Sequence, residues 1–359
     1  MKKFIIFVFL IIFILSCQKE TKKIVHLRYD SLDTIRMVPI VINEKGHIDQ
    51  ITVFLSQLAE NTLKESERFE FMDINNWALM RDNPNTVISI NKTHENIKRI
   101  IALFQNNKME RAYEDTEKTL ALLSKNFQYF EDLEEVYTLL AYQAASGLLA
   151  DVIDSEKLFE NFAVLTVNYN VNRFNFGPGI LQKFREAKKE VKKRRKGVIT
   201  VNSSPVPGKV FIDGEYVGIT PYQSEKIKVG THYVKVESDG YHPYGEVIKV
   251  LPQENPVSAE FRTFTINREL NKLRRKLAQS TRNKEKLFPK IVLKFLRVIP
   301  FDQLLLIKTQ TIDEDIYVDV FIYDIPATAL YKKANFKLNI DDNNMEDEFY
   351  NQMEKILNY

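Results

Sequence analysis

The chain has 359 residues, 44% of them hydrophobic and 28% charged, with a formal net charge of +3. That length implies two or three domains, and the composition allows each a packed core. So small a net charge gives no argument for a nucleic-acid partner.

Lys2 and Lys3 precede an unbroken apolar run, Phe4 to Leu15. A short positive start and an apolar run are the parts of a secretory signal, and the run falls short of the about 20 residues a spanning helix needs. Ile14-Leu15-Ser16-Cys17 then resembles the bacterial lipobox. The resemblance implies a signal peptide over 1–16, cleavage before Cys17, and lipid on the Cys17 thiol. Residues 17–24 would tether the chain to a membrane of the cell envelope, facing the periplasm or the cell surface. Cys17 is the only cysteine, so the folded part has no disulfide of its own. The alternative is an uncleaved signal anchor with an incidental cysteine.

Residues 25–92 read as an α/β part. Met37 to Ile42 is an apolar strand, and Pro39 suggests an edge or strand-start position. Ile51, Phe54, Leu55, Leu58, Ala59 and Leu63 recur at helical spacing. Phe69 to Asp73 is a second strand. Strand, helix, strand ending near an Asp resembles the start of the periplasmic α/β domains of the Tol-system propeller protein and the curli secretion lipoprotein.

Residues 93–196 read as helical, with Thr93 as a candidate N-cap. Ile97, Ile100, Ile101 and Phe104 share a face, as do Tyr137, Leu140, Ala141, Ala144 and Ala145, and Gly147 is expected to end that helix. Ala141 to Gly147 with Phe159, Phe162 and Ala163 resembles a tetratricopeptide unit. At most two units are present, fewer than a free solenoid needs, so a small bundle braced by its neighbours is expected. A further helix is predicted from Ile180 to Lys196. Its Lys192–Lys196 run reads as a solvated end favoured by the helix dipole, with attraction to anionic lipid or another acidic partner as the alternative.

Residues 197–262 switch to period-two alternation with regular turn signals, which implies a small β-sandwich. Ile199-x-Val201, Ser204-Pro205, Val210-x-Ile212-Asp213-Gly214, Gly218-x-Thr220-Pro221, Gly230-x-His232 and Gly240-Tyr241 occur in order. This pattern resembles a PEGA domain, so the chain is similar to PEGA-containing bacterial lipoproteins. It departs at Pro205-Val206-Pro207-Gly208, where the family carries Pro-Glu-Gly-Ala. The shared residues have turn-forming or packing reasons: Asp213-Gly214 suits a hairpin turn, Pro221 fixes φ, and Tyr241 caps a sandwich edge. The resemblance implies an interaction module with no reaction attached.

Residues 263–359 read as a second α/β part. A basic helical stretch (Arg268, Lys272, Arg274, Arg275, Lys276) and a helix from Leu287 to Ile299 come first. Strands at Asp302–Thr309, Ile316–Asp324 and Leu330–Leu338 and a closing helix, Met345 to Leu357, follow. The two-strand α/β part alone has too little sheet to be stable, so Met37–Ile42 or Phe69–Asp73 is expected to lie in one sheet with the strands between Asp302 and Leu338, as one discontinuous domain; two separate pieces are the alternative. The fold class expected is therefore multidomain α+β, with a mixed α/β base, tetratricopeptide-like helices and a β-sandwich.

No catalytic residue, metal site or cofactor motif is found. The histidines are scattered, and Asp341, Asp342, Glu346, Asp347 and Glu348 lack the glycine and spacing of a calcium loop. Two functions fit: an envelope scaffold that docks protein partners, or a module that binds cell-wall glycan through Tyr216, Tyr222, Tyr241 and Tyr244.

Overall fold

The computed structural model describes residues 34–166, 170–282, 290–295 and 299–358. The signal segment, Cys17 and the tether lie outside them. No helix among the described residues is long and apolar enough to cross a membrane.

The chain opens with β1 (Ile35–Asn43), α1 (Gln50–Lys64), β2 (Phe69–Phe71) and α2 (Ile74–Asp82). Five longer helices follow: α3 (Pro84–Gln105), α4 (Met109–Leu123), α5 (Glu134–Leu149), α6 (Ser155–Leu165) and α7 (Pro178–Lys193). Eight strands come next: β3 (Lys196–Ser204), β4 (Lys209–Ile212), β5 (Glu215–Ile219), β6 (Tyr222–Gln223), β7 (Ile227–Lys228), β8 (Gly230–Glu237), β9 (Tyr244–Val250) and β10 (Glu254–Glu260). The chain closes with α8 (Asn267–Arg282), α9 (Lys290–Phe295), β11 (Gln303–Ile312), β12 (Asp315–Asp324), β13 (Ala329–Asn339) and α10 (Met345–Asn358). This is a multidomain α+β fold.

Both ends of the chain build one sheet, in the order β13-β12-β11-β1-β2. β1 runs parallel to β11, with Met37 opposite Gln303, and parallel to β2, with Met37 opposite Phe71. The Arg36 guanidinium grips Asp302 through two bonds of 3.0 and 2.9 Å, clamping the two chain ends at the start of that pairing. Met37 to Ile42 are all buried, as a strand covered on both faces requires. α1 and α10 pack on one face over Val41, Leu305, Val318 and Val320. α2, α8 and α9 pack on the other over Val38, Ile40, Leu304 and Leu306.

Pro39 corrects the edge expectation, since β1 is internal. β2 pairs only with Ile35–Met37, and the Met72 N–H bonds the Met37 carbonyl. Backbone groups alternate sides along a strand, so Pro39 faces the Met37 side beyond the end of β2. There its missing N–H disrupts no ladder.

Three helix ends also differ from expectation. Thr93 lies inside α3, and its hydroxyl bonds the Ser89 carbonyl. The helix begins at Pro84, because proline suits the first turn, where an N–H has no partner. Gly147 lies inside α5; a Cβ there would come within 2.8 Å of Leu158 and 3.2 Å of Tyr113. It is a close-packing position, not a terminator. α7 stops at Lys193 because Arg194 turns extended and Lys196 already belongs to β3.

The helices share a core rich in rings, with Phe174 stacked on Phe176 and Phe176 on Phe184. The eight strands from β3 to β10 form two sheets, β10-β3-β6 (with β7 also on β3) and β5-β4-β8-β9. Ile199, Val201, Val210, Ile212, Val234, Val236, Val250 and Val257 fill the space between them.

Candidate functional site

The β-sandwich signature residues hold turns and seams. Asp213 and Gly214 both have positive φ, +52° and +84°, as the tight β4–β5 hairpin demands. The Asp213 carboxylate takes the His232 Nδ1 at 2.5 Å and the Tyr233 N–H at 2.9 Å. His232 is buried, and its Nε2 meets the Lys228 carbonyl at 2.7 Å. A carboxylate on one side and a carbonyl on the other favour the doubly donating ring, an imidazolium. Burial pulls its pKa down, but the bond and charge of Asp213 and the Lys228 carbonyl carry it above the usual value.

Pro205 follows β3, where Ser203 Oγ donates to the Val206 carbonyl at 2.8 Å. Thr220 is buried: its Oγ1 accepts the Gly208 N–H at 2.9 Å, and its carbonyl accepts Gln50 Nε2 of α1 at 3.1 Å. The Tyr222 ring, just after the exposed Pro221, lies over Gly218. Gly230, at φ +153°, sits against Val164 of α6. Gly240 donates to Asn75 Oδ1 and accepts from Asn267 Nδ2, each at 2.8 Å. Tyr241 is buried beside Phe261.

None of the four candidate sugar-platform tyrosines is exposed. Tyr216 packs on Phe211, Tyr222 and Tyr244 lean on the sandwich core, and Tyr241 is buried.

The outer face of sheet β5-β4-β8-β9 meets both other units. Toward the base, Lys209 pairs with Glu60 of α1, with both side chains buried or nearly so. Arg274 of α8, 1% exposed, reaches Asp239 at 3.4 Å. Burial would lower the Lys209 ammonium, but Glu60, Asp239 and Glu237 hold it above the usual lysine range. Burial, helped by the Asp239 and Asp73 charges, pushes the Glu60 carboxyl to about 7 against the pull of Lys209. Toward the helices, Phe127 meets Tyr233 edge-on at 4.9 Å, and the Tyr137 hydroxyl donates to the Asp213 carbonyl.

Where the three units converge they leave a cleft of about 610 Å³. Lys235 forms its floor. Its ammonium pairs with Glu237 at 2.9 Å, donates to the Phe130 carbonyl at 3.1 Å and sits 4.7 Å from the Phe211 ring. Burial alone would raise the Glu237 carboxyl, but Lys235 and Lys209 outweigh it and hold it low. Lys64 of α1 crosses to Glu131 at 2.9 Å and lies over Phe71. Trp77, the only tryptophan of the chain, lines the α2 wall beside Asp73. Asp73 caps α2 by accepting the Asn75 N–H at 2.7 Å, and it enters no ion pair among the described residues. Asp73 is exposed at the surface, yet the protein packed around it and the charge of Glu237 raise its carboxyl.

Sequence reading did not find this cleft. Its one local signal was Asp73 at the end of a strand. No group of three or more His, Cys, Asp or Glu among the described residues is placed to hold a metal ion.

No curated protein matches the chain. Residues 196–262 match the PEGA domain family. Alternation, turns and match agree that the chain contains a PEGA domain over this segment.

Proposed function

We propose that this chain is a non-enzymatic lipoprotein of the bacterial cell envelope, held through Cys17, that acts as a scaffold in assembly of an envelope complex. The observation that carries this reading is the way the PEGA domain is seated. Its outer sheet face is occupied by the base and the helices, and the three units frame one shared cleft. A frame already ordered loses little freedom when a partner docks. The lining offers docking chemistry: aromatic, amide and acidic groups beside Lys64 and Lys235. Glu70, Asp73, Glu131 and Glu237 against Lys64 and Lys235 favour a partner segment that is basic and apolar.

The test is made in cells on the full lipidated chain, with a photoreactive residue replacing Met80, which lines the cleft and is 58% exposed. A discrete heavier adduct is expected, and Asp73→Lys should remove it. The reading fails if no adduct forms, or if a probe at Ile153 on the helices gives the same product. Cys17→Ala should in parallel abolish incorporation of labelled palmitate into the chain.

A further inference from the structure

The basic stretch following the PEGA domain reaches the cleft only with Phe264 at its start. Between Phe264 and Ile299 the sequence holds eleven Lys and Arg against two acids, Glu269 and Glu285. The whole chain is only +3, so the rest is net negative and the positive charge is concentrated here.

The fold turns this composition into a surface. α8 buries Leu270, Leu273, Leu277 and Ala278 in the same apolar layer that takes Val292 and Phe295 of α9. Both helices therefore show their other sides away from the sheet, on one face of the base. Arg268, Lys272, Arg275 and Lys276 recur at spacings of three, four and seven along the exposed side of α8. Lys290 and Lys294 do the same on α9, with Leu293, 40% exposed, between them. None of these six cations enters an ion pair with a described residue.

We propose that the α8–α9 face of the base lies against anionic lipid headgroups. Cations with an apolar side chain among them, on helices lying flat, are the pattern of an interfacial surface. Placement agrees, in a step that rests on the anchor at Cys17. α8 packs on β1, which starts at Ile35, so at most roughly 60 Å of extended chain separates this face from the anchor. The lipid then holds the protein at the membrane, and the basic face sets which way the base lies on it.

The experiment uses the mature chain with Cys17→Ala, so it is independent of whether Cys17 is lipidated in cells. Co-sedimentation is measured with phosphatidylcholine vesicles and with vesicles also containing phosphatidylglycerol. Binding is expected only to the anionic vesicles, weakening as salt is added. Each cation at such a surface strengthens binding by about five-fold, so K272Q/R275Q/K276Q/K294Q should weaken it by more than about a hundred-fold. K157Q/K183Q, on the helical unit, should leave it unchanged. Equal binding to both vesicle types, no binding to anionic vesicles, or an unaffected quadruple variant would overturn the proposal. So would binding to RNA in solution without binding to vesicles.

Discussion

Against the base, the PEGA domain presents buried ion pairs beside amide bonds at Thr220 and Gly240; against the helices, it presents mainly rings and glycine, with Lys235 donating to the Phe130 carbonyl. The first seam holds Lys209 with Glu60 and Arg274 with Asp239, all largely removed from water. The second holds Phe127 on Tyr233, Leu133 over Gly214 and Val164 over Gly230. A buried ion pair is sensitive to the loss of one member, because the other charge is left without a partner. An apolar seam loses only the contacts removed and the cavity left behind. The two seams should therefore fail differently.

Lys209→Met should produce the largest effect, a loss of about 3–5 kcal/mol in urea unfolding. Adding Glu60→Gln should restore most of it, since no buried charge then stands alone. A loss under about 1 kcal/mol for the single variant would show that the charged seam has no special sensitivity. On the other seam, Leu133→Ala should cost about 3 kcal/mol. Glu60→Gln should not rescue it, and its effect should add to that of Lys209→Met within about 0.5 kcal/mol. Strong coupling between the two variants would mean that the seams are one interface.

A smaller effect lies inside the PEGA domain and depends on pH. The folded pKa of His232 lies above its unfolded value of 6.5. Its contribution is therefore complete below that value and is lost as pH rises through the folded one. His232→Gln should cost about 1–2 kcal/mol near pH 5.5, and the cost should shrink on the alkaline side. A pH-independent cost would refute the imidazolium assignment. The smallest effect belongs to the exposed bridge at the cleft mouth. Lys64→Gln should cost less than about 1 kcal/mol and vanish in high salt.

Local chemistry was enough to read the elements. The apolar run at Met37–Ile42, the helical spacing from Ile51 to Leu63 and the alternation after Gly197 each appear as the element expected. Asp213-Gly214 is legible because a tight hairpin needs positive φ at both positions, a demand confined to two adjacent residues. Helix ends were less legible. Gly147 carries the local sign of a stop, yet its small size is required by Leu158 and Tyr113 from other helices.

The sequence by itself determined the strands, the principal helices, the sandwich and the expectation of a lipid at Cys17, because period, turn chemistry and motif act over a few residues. Only the tertiary structure decided that, of β1 and β2, it is β1 that pairs with β11, across more than two hundred and fifty residues. It also decided that Lys235 is buried. Val234 and Val236 point into the sandwich core, so alternation sends Lys235 to the outer face, which in an isolated domain would be solvent. Here that face is covered, and the lysine becomes the floor of a cleft beside Phe130, Phe211 and Glu237. Period-two alternation says which side of a strand a residue takes; it carries no information about what another part of the chain lays over that side.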